Sequence, residues 1–441
     1  SIVEAQANKS ASKTSSTEET ELALHMISAF IQNLSDAMVK YEQQIYDLMI
    51  AIIDNIYEED LRLTALDVLC MLAKLYKNNP SPSNQQILRQ TVHKLWTLIE
   101  EDNNALTITD LILCMQKILK YSENCFTEQE LNAFFDKSKD VIAKSMKRKS
   151  EAHEDIDEDD DKEEADIALE ENEEIEEGLQ LEVANFIGCI FRSHTAISYP
   201  IFTRALNELI TPALSLPQGL KFALFLICDS IAYLGKHIPD DIIVLFIKTF
   251  LGNYNTPNLS TRQSCVYGIG LAALTFGEKF QPFFEESLKA IVEISTAPLP
   301  PKSSGFEQKS VLENCVSAQG KIIKALWNVL SPEIITKWLN TWLQGLPLIH
   351  DHKEGIVNLE MLIQILQTKA ETLLNSTENV AKICEIFATV YQKKKISNPE
   401  IDTNIKTLIL GFLANEQIKT VITSANLSES TKEFISNIVK P

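Results

Sequence analysis

The sequence predicts an all-helical chain of stacked antiparallel helix pairs, and three observations carry that expectation. The 441 residues are 45% hydrophobic but contain only 13 glycines and 15 prolines, too few for the turns of a large β fold or the glycine-rich loops of an open α/β enzyme. Apolar residues recur at helical spacing almost without a break. Two helices plus two turns take about 40 residues, and this period repeats along the chain. That is the period of HEAT or armadillo repeats, and its regularity with weak identity between repeats favours HEAT. The fold expected is therefore a HEAT-repeat α-solenoid, a right-handed superhelix of antiparallel helix pairs, because one pair cannot bury its apolar face alone.

The elements follow in order. A polar leader occupies residues 1–16; it begins with Ser1 rather than Met, which suggests the cut end of a longer protein. Ser16 and Glu19 have the spacing of a capping box ahead of Leu22, Met26, Ile27, Phe30 and Ile31. Helices are then expected near 41–56, 59–76, 84–100, 107–121 and 127–146, the first block of HEAT repeats (17–150). An acidic insertion fills 151–177. A second block (178–441) holds helices near 178–192, 201–214, 220–236, 241–251, 260–276, 280–294, 309–327, 332–343, 353–374, 378–392, 400–414 and 431–439. Breakers punctuate the connections: Pro80 and Pro82, Pro239, Pro257, Pro332 and Pro399. Within the repeats, Ala65, Gly268 and Gly270 are expected to be small so that neighbouring helices approach closely. Arg62 and Arg262, each in a first turn, are expected to bridge adjacent repeats.

Charge is concentrated in one place. Residues 151–177 hold 17 Asp or Glu against one Lys, a local charge of −16 out of −21 for the whole chain. That field disfavours direct binding to nucleic acid and attracts basic partners. Two readings of the stretch stand side by side: a solvated, self-repelling connection between helices, or a lure for basic peptides built on Glu158, Asp159, Asp160, Asp161, Glu163 and Glu164. The basic run Lys147-Arg148-Lys149 leads into it, and residues 165–177 keep good helix formers, so part of it is expected to prolong the helix at Gly178.

Little points to catalysis, and no enzyme activity or cofactor is expected. The eight cysteines are scattered singly, as buried free thiols would be. Gly268-Ile269-Gly270 has no third glycine at phosphate-loop spacing and sits inside a helix pattern. His350-Asp351-His352 lacks a third metal ligand nearby, and Cys189 and His194 lack an acid to orient the histidine. There is no run of some 18 apolar residues, so no membrane span or membrane partner is expected. Trp338 and Trp342, four apart on one helix face, read either as core or as an exposed groove for apolar peptide anchors. With Asn314 they are the candidate contacts of the solenoid's concave face.

Three segments resemble a known family. Arg262-Gln263-Ser264-Cys265-Val266-Tyr267-Gly268-Ile269-Gly270, with Gln281-Pro282-Phe283 after it, is similar to a helix and its successor in the importin-five subfamily of karyopherin-β receptors. Glu313-Asn314-Cys315-Val316-Ser317-Ala318-Gln319-Gly320-Lys321-Ile322 resembles that subfamily's ENCxSAxGKI helix. The segment from Trp338-Leu339 through Gly345-Leu346-Pro347-Leu348 to Asp351-His352-Lys353-Glu354 resembles its WLxWLPLxxDKEEA stretch, with two extra residues. Their order and spacing agree with the family, as does an acid-rich insertion upstream. The likeness is weak up to Ser150, specific from Gly178 to Glu354, and lost in 368–441. It implies a nuclear import receptor, here its C-terminal half, shuttling between cytoplasm and nucleus. The partners implied are basic protein cargo, nucleoporins, and the GTPase Ran, which would act mainly through N-terminal repeats absent from this chain. A monomer is expected. The alternative is a generic HEAT scaffold or a chaperone for basic proteins such as histones and ribosomal proteins.

Overall fold

A computed structural model describes residues 2–34, 36–54, 59–78, 80–154, 162–296, 305–393, 398–425 and 427–439. Side chains are described from residue 18 onward, apart from residues 36, 59, 78, 153–154, 162–166 and 217. Among these residues there is helix and turn but no strand. The chain divides into two compact units, Ser1–Leu234 and Gly235–Pro441.

In the first unit α1 (Ile2–Leu34) and α2 (Asp36–Val39) precede a series of pairs. These are α3 (Glu42–Ile53) with α4 (Glu59–Asn78), α5 (Pro82–Glu101) with α6 (Ala105–Tyr121), and α7 (Glu128–Glu154) with α8 (Lys162–Ser193). A broken helix closes the unit: α9 (Tyr199–Ala205) passes through a π turn (Leu206–Ile210) into α10 (Thr211–Leu214), opposite α11 (Leu220–Leu234). Pro212 donates no backbone N–H, and the Thr211 hydroxyl instead bonds the Leu206 carbonyl at 2.7 Å, which accommodates the widened turn. The second helices α4, α6, α8 and α11 pack successively on one another, and each first helix leans on its own partner.

The second unit repeats the scheme with α12 (Asp240–Asn253) and α13 (Leu259–Phe276), α14 (Phe284–Thr296) and α15 (Gly305–Ala325), α16 (Pro332–Gly345) and α17 (His352–Thr368), and α18 (Thr377–Gln392) and α19 (Pro399–Ala414). Two short helices, α20 (Glu416–Ser424) and α21 (Glu429–Val439), pack on α18 and α19. Here α13, α15, α17 and α19 form the stacked row.

The breakers seen in the sequence are also start signals. Ser81, Ser331 and Asn398 each cap a helix whose first residue is proline: their side chains accept the backbone N–H of Asn84, Ile334 and Glu400. Asn104, Asn258, Asp351, Ser376 and Asn415 do the same without proline. A reciprocal capping box opens α7: Thr127 N donates to Glu130 Oε2 at 2.8 Å, and Glu130 N to Thr127 Oγ1 at 3.3 Å. The start expected at Ser16 and Glu19 does not occur, because α1 runs through them.

Close approach of the second helices depends on small residues, as expected. A β-carbon on Gly270 would lie 2.8 Å from the Ala318 backbone on α15, and one on Gly268 would lie 2.3 Å from the Phe250 ring on α12. Ala65 is fully buried. Arg62 does bridge repeats, donating from α4 to Thr107 on α6 at 3.1 Å. Arg262 does not: its Nε donates to the Thr256 carbonyl in the turn before its own helix. In the first unit the core is aromatic: Trp96, Phe134 and Phe186, from α5, α7 and α8, interlock two repeats at ring distances of 5.4 to 6.5 Å.

Candidate partner-binding sites

The acidic insertion joins the two helices of one repeat. Glu158, Asp159, Asp160 and Asp161 lie outside the described residues. Glu163 and Glu164 fall within α8, with their side chains outside the description. What is described is the pair of helices leading into the stretch. At 27 and 32 residues, α7 and α8 extend well beyond the other paired helices, which makes a projecting hairpin. A charge clamp closes its base. Arg148 Nε and Nη2 donate to Glu176 Oε1 and Oε2 at 2.5 and 2.9 Å, and Glu176 is 3% exposed. Lys221 lies 3.6 Å from Glu177, and Gln180 donates to Ser145 at 2.9 Å. Arg148 and Lys221 are therefore engaged with Glu176 and Glu177, whereas Glu170, Glu171 and Glu174 face solvent. Exposed acids of this kind attract an approaching cation before contact.

The candidates Asn314 and Trp342 are corrected by the structure. Asn314 is 1% exposed and Trp342 is fully buried, so neither offers surface to a partner. Both belong to a polar network that fastens α15 to its neighbours. Glu313 accepts the backbone N–H groups of Ile349 and Asp351, each at 2.8 Å, and of His350 at 2.9 Å; the His350 ring Nδ1 is 2.8 Å away. Burial alone would raise the Glu313 pKa, but the hydrogen bonds from Asp351, His350 and Ile349 outweigh it and hold the carboxyl below its ordinary value. Asn314 donates to Asp351 at 3.1 Å. Ser317 donates to Glu354, Asn358 donates to Ser317 at 2.8 Å, and Trp342 Nε1 donates to Asn358 at 2.9 Å. Lys321 forms a buried ion pair with Glu354 at 2.6 Å and lies 4.9 Å from the centre of the Tyr267 ring. Gly320 leaves the space that the Trp342 ring fills. His350-Asp351-His352 thus helps start α17, with Asp351 as its cap.

Trp338 keeps partial exposure. Its ring, with Phe284, Leu288 and Val292, lines a shallow apolar hollow between α14 and α16, rimmed by Glu285, Lys289 and Glu293. Of the three tryptophan and asparagine candidates, it is the one with surface to contribute.

The Cys189 and His194 pair is committed elsewhere. Burial pushes the Cys189 thiol up to about 12 and His194 down to about 4. The neutral His194 ring accepts the Phe126 N–H at Nε2 (3.1 Å), which leaves Nδ1 to donate to Ser193 Oγ at 2.7 Å. The imidazole therefore secures the α6–α7 turn. Among the described residues no helix is long and apolar enough to cross a membrane.

Known proteins share this architecture. The family "Importin repeat 6" matches residues 107–215, a span that runs from α6 to just beyond α10 and takes in the whole acidic hairpin. A probable importin-5 homolog of Dictyostelium discoideum is 24% identical over 443 residues, covering 96% of this chain. The chain is thus similar in sequence to importin-type receptors without matching any of them closely. Its likeness to the importin-five subfamily extends over nearly its whole length, and it spans about 40% of the Dictyostelium relative. The crystal structure of Kap121p superposes on 95% of this chain with a TM-score of 0.70 at 17% identity, covering 36% of Kap121p. Kap121p bound to RanGTP gives 0.71 at 16% identity, with 96% and 37% of the two chains covered. These likenesses establish the HEAT-repeat solenoid as the fold.

Reading the sequence alone missed Arg148–Glu176 and Lys321–Glu354. Each pair joins residues some 30 positions apart on different helices, and composition carries no trace of such a partner. One signal was available for the second: Lys321 follows Val311, Ala318 and Ile322 into the buried side of α15, where a lysine needs a counter-charge.

Proposed function

We propose that this chain is part of a karyopherin-β nuclear import receptor that binds basic protein cargo and contributes to Ran-regulated transport between cytoplasm and nucleus. The observation that carries the reading is the importin repeat over residues 107–215, because it includes the projecting acidic hairpin. A hairpin bearing most of the net charge suits recognition of lysine- and arginine-rich segments. Further support comes from Kap121p, which has been crystallised with RanGTP, with Pho4p and with Nup53p. By that analogy this chain engages Ran, cargo and nucleoporins, acts as a monomer and shuttles through nuclear pores. Ran and cargo then exclude one another, a negative coupling between two sites.

The test is release. The native protein is loaded with a fluorescent basic cargo, and Ran is added in its GTP or GDP state. Release by the GTP state alone is the expected result. Equal retention in both states would leave the other reading, a HEAT scaffold that holds basic proteins without a nucleotide switch.

A further inference from the structure

Cys70 on α4 and Cys114 on α6 are free thiols on adjacent second helices of the first unit, 6% and 2% exposed. Their Sγ atoms lie 3.5 Å apart. Each is directed at the backbone of the other's helix: Cys70 Sγ is 3.9 Å from the Cys114 carbonyl oxygen, and Cys114 Sγ is 3.6 Å from that of Leu66. A disulfide needs a sulfur separation of about 2.05 Å, so the two sulfurs must close by about 1.5 Å.

We propose that Cys70 and Cys114 are a modification site, at which a peroxide forms an intramolecular disulfide that staples α4 to α6. One thiolate attacks hydrogen peroxide: an S–O bond forms, the O–O bond breaks, and hydroxide leaves to become water. The resulting sulfenic acid is attacked by the second sulfur, the S–S bond forms, the S–O bond breaks, and the second thiol's proton leaves with that hydroxide as another water. The two sulfurs give up two electrons together, and the peroxide takes both.

The same geometry sets when this happens. The hydrogen bond with Cys70 and burial push the Cys114 thiol well above its ordinary range, so in the closed stack at neutral pH the pair rests as thiols. Thiolate and access to peroxide both increase when α4 and α6 part. Lys117, one turn from Cys114 and paired with Asp67 at 3.1 Å, favours the thiolate as the stack opens. Oxidation therefore captures an opening between these two repeats and then prevents its recurrence, until a dithiol reductant restores the thiols.

The experiment treats the native chain with hydrogen peroxide, quenches it, unfolds it in an alkylating agent, and maps the digest by mass spectrometry. The expected result is loss of most alkylation at both positions and a Cys70–Cys114 linked peptide that dithiothreitol abolishes. In Cys70→Ser no such peptide forms, and Cys114 is left as the thiol or as its own sulfenic or sulfinic acid. Alkylation of both thiols in the wild type, under peroxide that fully oxidises free glutathione, would overturn the proposal. So would separate sulfinic acids at the two positions. The wild-type map decides even if the variant folds poorly.

Discussion

Lys321 and Glu354 show how a single pair holds consecutive helices together. Their side chains are 5% and 7% exposed and meet at 2.6 Å, with Ser317 also donating to Glu354. Removing one charge strands the other in a site of low polarity, which costs more than the intact pair contributes. Lys321→Met is expected to destabilise the second unit by about 3 kcal/mol in urea unfolding, and adding Glu354→Leu should recover most of that loss. A double variant as unstable as the single one would remove the pair from the argument. His194 acts in the opposite sense to a paired histidine. Burial lowers its folded pKa to about 4, below the ordinary 6.5, so protonation favours the unfolded chain. Its contribution is complete above pH 6.5, declines as pH falls from 6.5 towards 4, and is flat below; over that window it amounts to about 3 kcal/mol. Unfolding of the first unit should therefore be acid-sensitive in that range. His194→Gln should flatten the profile, as urea titrations at about pH 7 and about pH 4.5 would show.

Packed helices pass such effects on, and here the sequence was legible in some features and opaque in others. Helix starts were readable where a capping residue stood beside proline, as at Ser81, Ser331 and Asn398, since the chemistry is local. Close approach was readable at Gly270 for the same reason, because only a missing side chain allows it. Gly270→Ala places a β-carbon 2.8 Å from the Ala318 backbone, which cannot yield as a side chain would. The expected cost is about 1–3 kcal/mol of stability in the second unit, measured by thermal unfolding, whereas Gly252→Ala, with open space around it, should cost far less. Short elements were opaque. The nine residues of α20 carry a single short apolar stripe, Ile418, Val421 and Ile422, too brief to mark a helix by periodicity, and the helix starts at the Asn415 cap and packs against α18 and α19. Partners across helices were opaque too. Asn314 and Trp342 had the composition of a binding surface, but the register of α15 on α16 and α17 turns both inward. The acidic hairpin was legible as charge, while its closure by Arg148 and Glu176 depends on how α7 and α8 align.

Across the whole molecule, charge and stability are separable, and that separation makes the proposed function testable. The stretch 151–177 holds −16 of the net −21, and its buried ion pair, Arg148–Glu176, lies at the base of the hairpin. Long-range steering depends on net local charge and falls with ionic strength, whereas folding depends on the buried rows of α4, α6, α8 and α11. Replacing residues 158–164 by Ser and Gly removes charge while altering only the first residues of α8, well before the clamp at Glu176. Association with a basic cargo should slow by about tenfold at low salt and lose most of its salt dependence, while the helical melt stays within a degree or two. Stopped-flow rates at low and near-physiological ionic strength, alongside circular-dichroism melts, give both readouts on one protein. An unchanged rate would make the stretch a solvated connection between α7 and α8, and cargo recognition would then have to reside on surfaces such as the hollow beside Trp338. A lowered melt would mean instead that the acids stabilise the hairpin itself, and the rate change could no longer be assigned to steering.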